Sequence, residues 1–113
     1  MIGSGVYEVE IDGEKVGFQF GMLASIETEE ASGMVIEDVF KKIAKGFQKY
    51  IALYFLGGAV AYNKFHGIEK TIGIPEVTIY IEQMGMERAL EIYMKSIAAP
   101  QIKNGKAPVT GQA

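Results

Sequence analysis

The chain has 113 residues, 49% of them hydrophobic and 22% charged, with no cysteine, one histidine and a formal net charge of −3. That length allows one domain with a modest core, and the balance is that of a globular protein rather than a disordered one. The lack of cysteine excludes disulfides and thiolate zinc sites, while the acidic pI of about 5.2 argues against general nucleic-acid affinity.

The net charge hides an asymmetry. Residues 1–38 hold nine acids and one base, Lys15, for a formal charge of −8; residues 39–113 hold ten bases and five acids, for +5. The two halves can attract each other within one chain or between copies, or can simply form an uneven solvated surface. Met1-Ile2-Gly3-Ser4-Gly5 has neither the basic start nor the apolar stretch of a signal peptide.

Tyr7, Val9 and Ile11 alternate with Glu8, Glu10 and Asp12, the period-two pattern of a half-buried strand. Asp12-Gly13-Glu14-Lys15 reads as a turn, since glycine tolerates positive φ, and Val16, Phe18 and Phe20 continue the apolar face on a return strand. A two-stranded hairpin is marginal in water, so it must lie on helices or pair with another subunit. Met22 to Ala31 reads as a short acidic helix with Leu23, Ile26 and Ala31 facing inward and Ser32-Gly33 as its left-handed end.

Ile36, Val39, Phe40, Ile43, Phe47, Tyr50, Ile51 and Tyr54 then recur every three or four residues as a core-facing stripe, opposite Lys41, Lys42, Lys45 and Lys49. Glu37 and Asp38 suit the first turn of that helix. Gly46 either divides the segment into two helices or kinks it. Ile51 to Tyr62 is apolar throughout and contains Gly57-Gly58. A membrane span needs about 20 such residues, so the run predicts a helix buried on most sides, its glycines admitting a close neighbour.

Asn63 to Gly67 ends this helix, and residues 68–74 read as a loop or short extended piece. Pro75 suits the first turn of the next helix. Val77 to Ile81 also fits a strand by alternation, but Pro75-Glu76 at one end and Met84-Gly85 at the other favour a helix. A final helix from Met86 presents Met86, Ala89, Leu90, Tyr93, Met94 and Ile97 as its stripe. Beyond Pro100 the composition turns polar. The expected fold is α+β: an N-terminal β-hairpin followed by a bundle of four to five helices, with one domain over residues 1–98 and a flexible polar tail over 99–113.

Little in the chain suggests chemistry. His66 stands three residues before Glu69, but no second histidine or cysteine completes a metal site, so it reads as a loop residue at a helix end. Glu27, Glu29, Glu30, Glu37 and Asp38 lack the alternating oxygen ligands of a calcium loop and read as a solvated face or a docking surface for a basic partner. Gly105-Lys106 fails as a phosphate loop, because the required first glycine is Pro100. The helices flanking Gly85 could be a helix-turn-helix, yet Glu87, Arg88, Glu91 and Lys95 sum to zero charge where a recognition helix carries a basic surplus. If some of Met84, Met86 and Met94 are exposed, a protein-binding groove gains support.

The hairpin, the Phe18-Gln19-Phe20-Gly21 entry, the Glu-rich helix ending at Gly33 and the late Gly-interrupted helix pair resemble the tail assembly chaperones of long-tailed bacteriophages. The resemblance covers residues 5–98 and lies in pattern and order. It implies a non-enzymatic protein, without cofactor, that binds the tape-measure protein, keeps its apolar helices soluble, recruits tail-tube protein and self-associates in the cytoplasm of the bacterial host. No nucleic acid or membrane partner is expected. The candidate partner-binding residues are Phe18, Phe20, Tyr50, Tyr54, Phe55, Tyr62 and Met94. The alternatives are a structural tail component, such as a connector or terminator subunit, and a helix-turn-helix regulator.

Overall fold

A computed structural model describes residues 3–98; the expected tail, residues 99–113, lies outside them. Strands β1 (Gly5–Ile11) and β2 (Glu14–Phe20) form an antiparallel hairpin with Ile11 opposite Glu14, Val9 opposite Val16 and Tyr7 opposite Phe18. The turn is only Asp12-Gly13, with φ of 52° and 77°. Both residues are left-handed, as a two-residue turn matching the strand twist requires. Glu14 and Lys15, expected in the turn, therefore belong to β2.

Helices α1 (Met22–Ser32), α2 (Ile36–Ala44), α3 (Gln48–Phe65), α4 (Ile74–Met84) and α5 (Met86–Ala98) complete the α+β fold. Of the two routes by which the hairpin could gain stability, the chain uses the first: its apolar face lies on α3. Phe18 meets Phe55 edge to face at 5.0 Å, and Phe20 stacks on Tyr54 at 4.5 Å. The segment Val77–Ile81 is helical, within α4, as its flanking residues favour.

Gly46 does divide the long stripe. It has φ of 90° and separates α2 from α3, leaving Phe47 in the junction half exposed rather than in the core. Gly33 closes α1 with φ of 73°, its N–H bonded to the Glu29 carbonyl at 2.8 Å. Glu29 also accepts the Ile36 N–H at 2.8 Å through its carboxylate, which satisfies one of the orphan donors at the start of α2.

Helix α3 is the axis of the molecule, buried along most of its length. Its paired glycines have separate uses. A Cβ on Gly57 would collide with Thr28 Oγ1 and the Ala24 carbonyl of α1, and one on Gly58 would lie 2.6 Å from the Phe20 ring. The same proximity corrects the expected orientation of α1. Its buried residues are the small Ala24, Ser25 and Thr28, while Ile26 and Ala31 are exposed and Leu23 is half-buried. A helix seated directly on glycine has no room for leucine or isoleucine in the contact.

The expected face of α5 is also rotated. Ala89, Ile92, Tyr93 and Ser96 are buried; Leu90 and Met94 are exposed. The reason is a buried polar pair. Ser96 Oγ donates to the Tyr93 carbonyl at 2.8 Å, and because a serine hydroxyl has one hydrogen, the Tyr54 hydroxyl must donate to Ser96 Oγ at 2.7 Å. Tyr54 thereby joins α5 to β2, and its ring also meets Phe40 of α2 and Tyr93 of α5. Two ion pairs, Lys64–Glu27 at 2.6 Å and Lys70–Glu14 at 3.6 Å, connect the acidic and basic halves within the chain.

Candidate partner-binding surface

Five of the seven expected contact residues cannot serve as a surface in this fold. Phe18, Phe20, Tyr54, Phe55 and Tyr62 are buried. Each is an aromatic side chain on the face of β2 or α3 that the other elements cover, so burial, not partner binding, accounts for its hydrophobicity. Tyr62 packs its ring on Gly17 and donates its hydroxyl to Glu8 at 2.7 Å. That bond to a carboxylate holds the phenol pKa above its ordinary value. Tyr50 is partly buried and Met94 is 57% exposed.

The Tyr50–Tyr62 segment consequently does not line a groove along its length. Only its first turns do. Between α3 and α4 runs an open groove of about 530 Å³. Ile51, Ala52, Leu53 and Ile81 form its apolar base, Ile74, Thr78 and Met86 its sides, and Lys49 and Glu82 stand at the rim. Along α4, Val77, Tyr80 and Ile81 turn inward, and the smaller Thr78 faces the gap.

Beside it, at the corner between α2 and α3, lies a smaller hollow of about 180 Å³ lined by Ile43, Phe47, Ile51, Met86 and Leu90 among others. Gln48, Ile51 and Met86 border both. The exposed Met86, Leu90 and Met94 continue the hollow along α5 at four-residue steps, so two of the three methionines that bear on a groove are in fact outward. Phe47 is 50% exposed at its head.

Lysines flank the hollow. Lys42 lies 5.2 Å over the Phe47 ring and Lys49 lies 5.8 Å over Tyr50. Such contacts use the aromatic quadrupole and leave the ammonium groups facing water. Among the described residues Lys42, Lys45 and Lys49 have no ion pair. This surplus positive charge around apolar side chains was visible in the sequence as a lysine face. Its association with α5 was not, because that depends on how α5 is turned.

The other sequence candidates fall as follows. His66 caps α3 and lies against Tyr62, ring centroids 4.1 Å apart. Among the described residues no group of three or more His, Asp or Glu is placed to hold a metal ion. In α5, Glu91 is bonded to Arg88 at 3.1 Å and paired with Lys95 at 3.5 Å, so these bases are engaged with the acid between them. No helix among the described residues is long and apolar enough to cross a membrane. Comparison with models of known families, with curated proteins and with solved structures finds no match to this chain.

Proposed function

We propose that this chain is a non-enzymatic tail assembly chaperone of a long-tailed bacteriophage, binding apolar helices of the tape-measure protein and recruiting tail-tube subunits in the host cytoplasm. The observation that carries the reading is the open groove between α3 and α4. It has an apolar base, runs along the first turns of α3 over Gln48 to Leu53, and carries one charge of each sign at the rim. An amphipathic helix laid into such a groove presents side chains at i, i+3, i+4 and i+7 and gains most of its affinity from the buried stripe. A long coiled-coil protein offers that stripe repeatedly. The resemblance of the sequence to the tail chaperones over residues 5–98 supports the same role. The balanced, mutually paired charges of α5 speak against duplex DNA as its ligand.

The test is co-expression with a phage tape-measure protein. The partner should become soluble and co-purify with the intact chain. Thr78→Arg, at an exposed position in the groove wall, should abolish co-purification without altering the helical circular-dichroism signal. A partner equally insoluble with and without the chain refutes the chaperone reading. Presence of the chain in purified virions would instead favour a structural tail component.

A further inference from the structure

The outer edge of β2 faces a hollow that shares no residue with the client groove. The two-residue turn makes Ile11 and Glu14 a hydrogen-bonded pair, and bonded and non-bonded pairs then alternate along the hairpin, so Glu8 opposite Gly17 is a non-bonded one. The Gly17 N–H and C=O therefore point away from β1, and among the described residues nothing bonds to them. Gly17 is nevertheless buried, its face closed by the Tyr62 ring. A second polar group is in the same condition. Asn63, near the end of α3 and only 9% exposed, gives its backbone carbonyl to the Ile68 N–H. Its side-chain amide has no hydrogen bond among the described residues. Both residues line one hollow of about 140 Å³, whose apolar walls are Val16, Ile68 and Ile72. Lys70 and Glu14, paired at 3.6 Å, stand at its mouth, and Lys70 donates to the Tyr80 hydroxyl at 3.4 Å.

Buried polar groups are ordinarily hydrogen-bonded, and two without partners on one hollow describe what would fill it. Gly17 offers one donor and one acceptor, and the Asn63 amide offers both kinds as well. A carboxylate would leave the acceptors unmet, and an ammonium group would leave the donors unmet. A carboxamide meets both. Size narrows the choice further. A cavity of about 150 Å³ holds a benzene ring, so this one admits about five or six non-hydrogen atoms. We propose that the hollow binds a primary carboxamide on a short alkyl stem, its amide held by Asn63 and the Gly17 edge of β2 and its stem against Val16, Ile68 and Ile72. The charges of opposite sign at the mouth suit either the zwitterionic head of free glutamine or the backbone of a peptide that presents a glutamine side chain. The inference stands apart from the client reading, which uses another face.

Titration of the isotope-labelled full chain with propionamide, followed by amide NMR, tests it. The Gly17 N–H and the Asn63 side-chain NH₂ signals should shift saturably, with a Kd on the order of 1–10 mM for so small a ligand. Butanone, equal in size but without a donor, should bind at least about fivefold more weakly. Asn63→Leu removes the amide at nearly constant volume; it should weaken propionamide binding by about tenfold or more and raise the thermal midpoint, because an unpartnered buried polar group is gone. Should Asn63→Leu fail to fold, Asn63→Ala takes its place in the titration. L-glutamine and an acetylated, amidated glutamine are the arms that separate the two sources: the one that saturates at lower concentration names the free amino acid or the peptide side chain. Shifts that do not saturate by about 100 mM, as expected if water alone fills the hollow, overturn the proposal. So does butanone binding as well as propionamide, or an Asn63 variant that binds like the parent. Thr78→Arg should bind propionamide unchanged, so failure of client capture and failure of this site are separate results.

Discussion

Replacing Gly57 by alanine tests the contact that seats α1 on α3. On propensity alone the change favours folding, because alanine in a helix interior is better than glycine by about 1 kcal/mol. The structure predicts the opposite sign. The added Cβ would lie 2.5 Å from the Ala24 carbonyl oxygen, about 0.9 Å inside ordinary contact, and would also overlap Thr28 Oγ1. A side chain can rotate away; a helix carbonyl cannot. Helix α1 would have to move as a body, disturbing Ser25 and Thr28 along with it. Overpacking of this kind costs roughly 1–3 kcal/mol and sometimes more, so with a rigid backbone as the obstacle a net loss of about 2 kcal/mol is expected. For a domain of this size that lowers the thermal midpoint by about 10 °C. Urea titration followed by circular dichroism at several protein concentrations measures it. Thr28→Ala on the same background should restore less than half of the loss, because the carbonyl obstacle stays. Gly73→Ala, where the nearest atom to an added Cβ is 3.4 Å away, serves as the steric control; Gly73 is the N-cap of α4, so the change should cost only the weaker cap preference of alanine, about 0.5–1 kcal/mol. A Gly57→Ala protein as stable as the parent would falsify the close packing.

Two further outcomes follow from buried polar groups. Burial raises the Tyr54 pKa well above its ordinary value. The folded state thus keeps this proton to higher pH than the unfolded chain, in which tyrosine titrates near 10. Its contribution to stability is intact below pH 10 and is lost as pH rises above it, at up to about 1.4 kcal/mol per pH unit. Tyr54→Phe should cost about 1 kcal/mol at neutral pH through the lost hydrogen bond. It should also flatten the alkaline stability profile; an unchanged slope above pH 10 would contradict the assignment. Tyr7 and Tyr93, raised by burial too, retain part of the slope in that variant. Glu29→Ala removes the acceptor of the Ile36 N–H and should destabilise by about 1 kcal/mol in urea titrations, with Glu29→Gln losing less; equal stability of all three would refute the cap.

The local grammar of the chain was legible because it depends on neighbours in sequence. Alternation and Asp12-Gly13 specify the hairpin, Gly33, Gly46 and Gly85 mark helix boundaries, and Pro75 starts α4. These choices rest on backbone dihedrals and periodicity, which a few consecutive residues decide. Gly57-Gly58 likewise announces a close approach, though the sequence does not say that one glycine meets α1 and the other Phe20. The rotation of each helix about its own axis depends instead on long-range contacts. Ile26 and Leu90 are as apolar as any core residue, yet they face outward because glycine packing favours Ala24 and Thr28 and because Tyr54 binds Ser96. For the same reason the aromatics expected at a partner surface, Phe18 and Tyr54 among them, are the core itself. Hydrophobicity records that a side chain prefers to leave water; only the packed tertiary structure decides whether it does so inside its own chain or remains for a partner to cover.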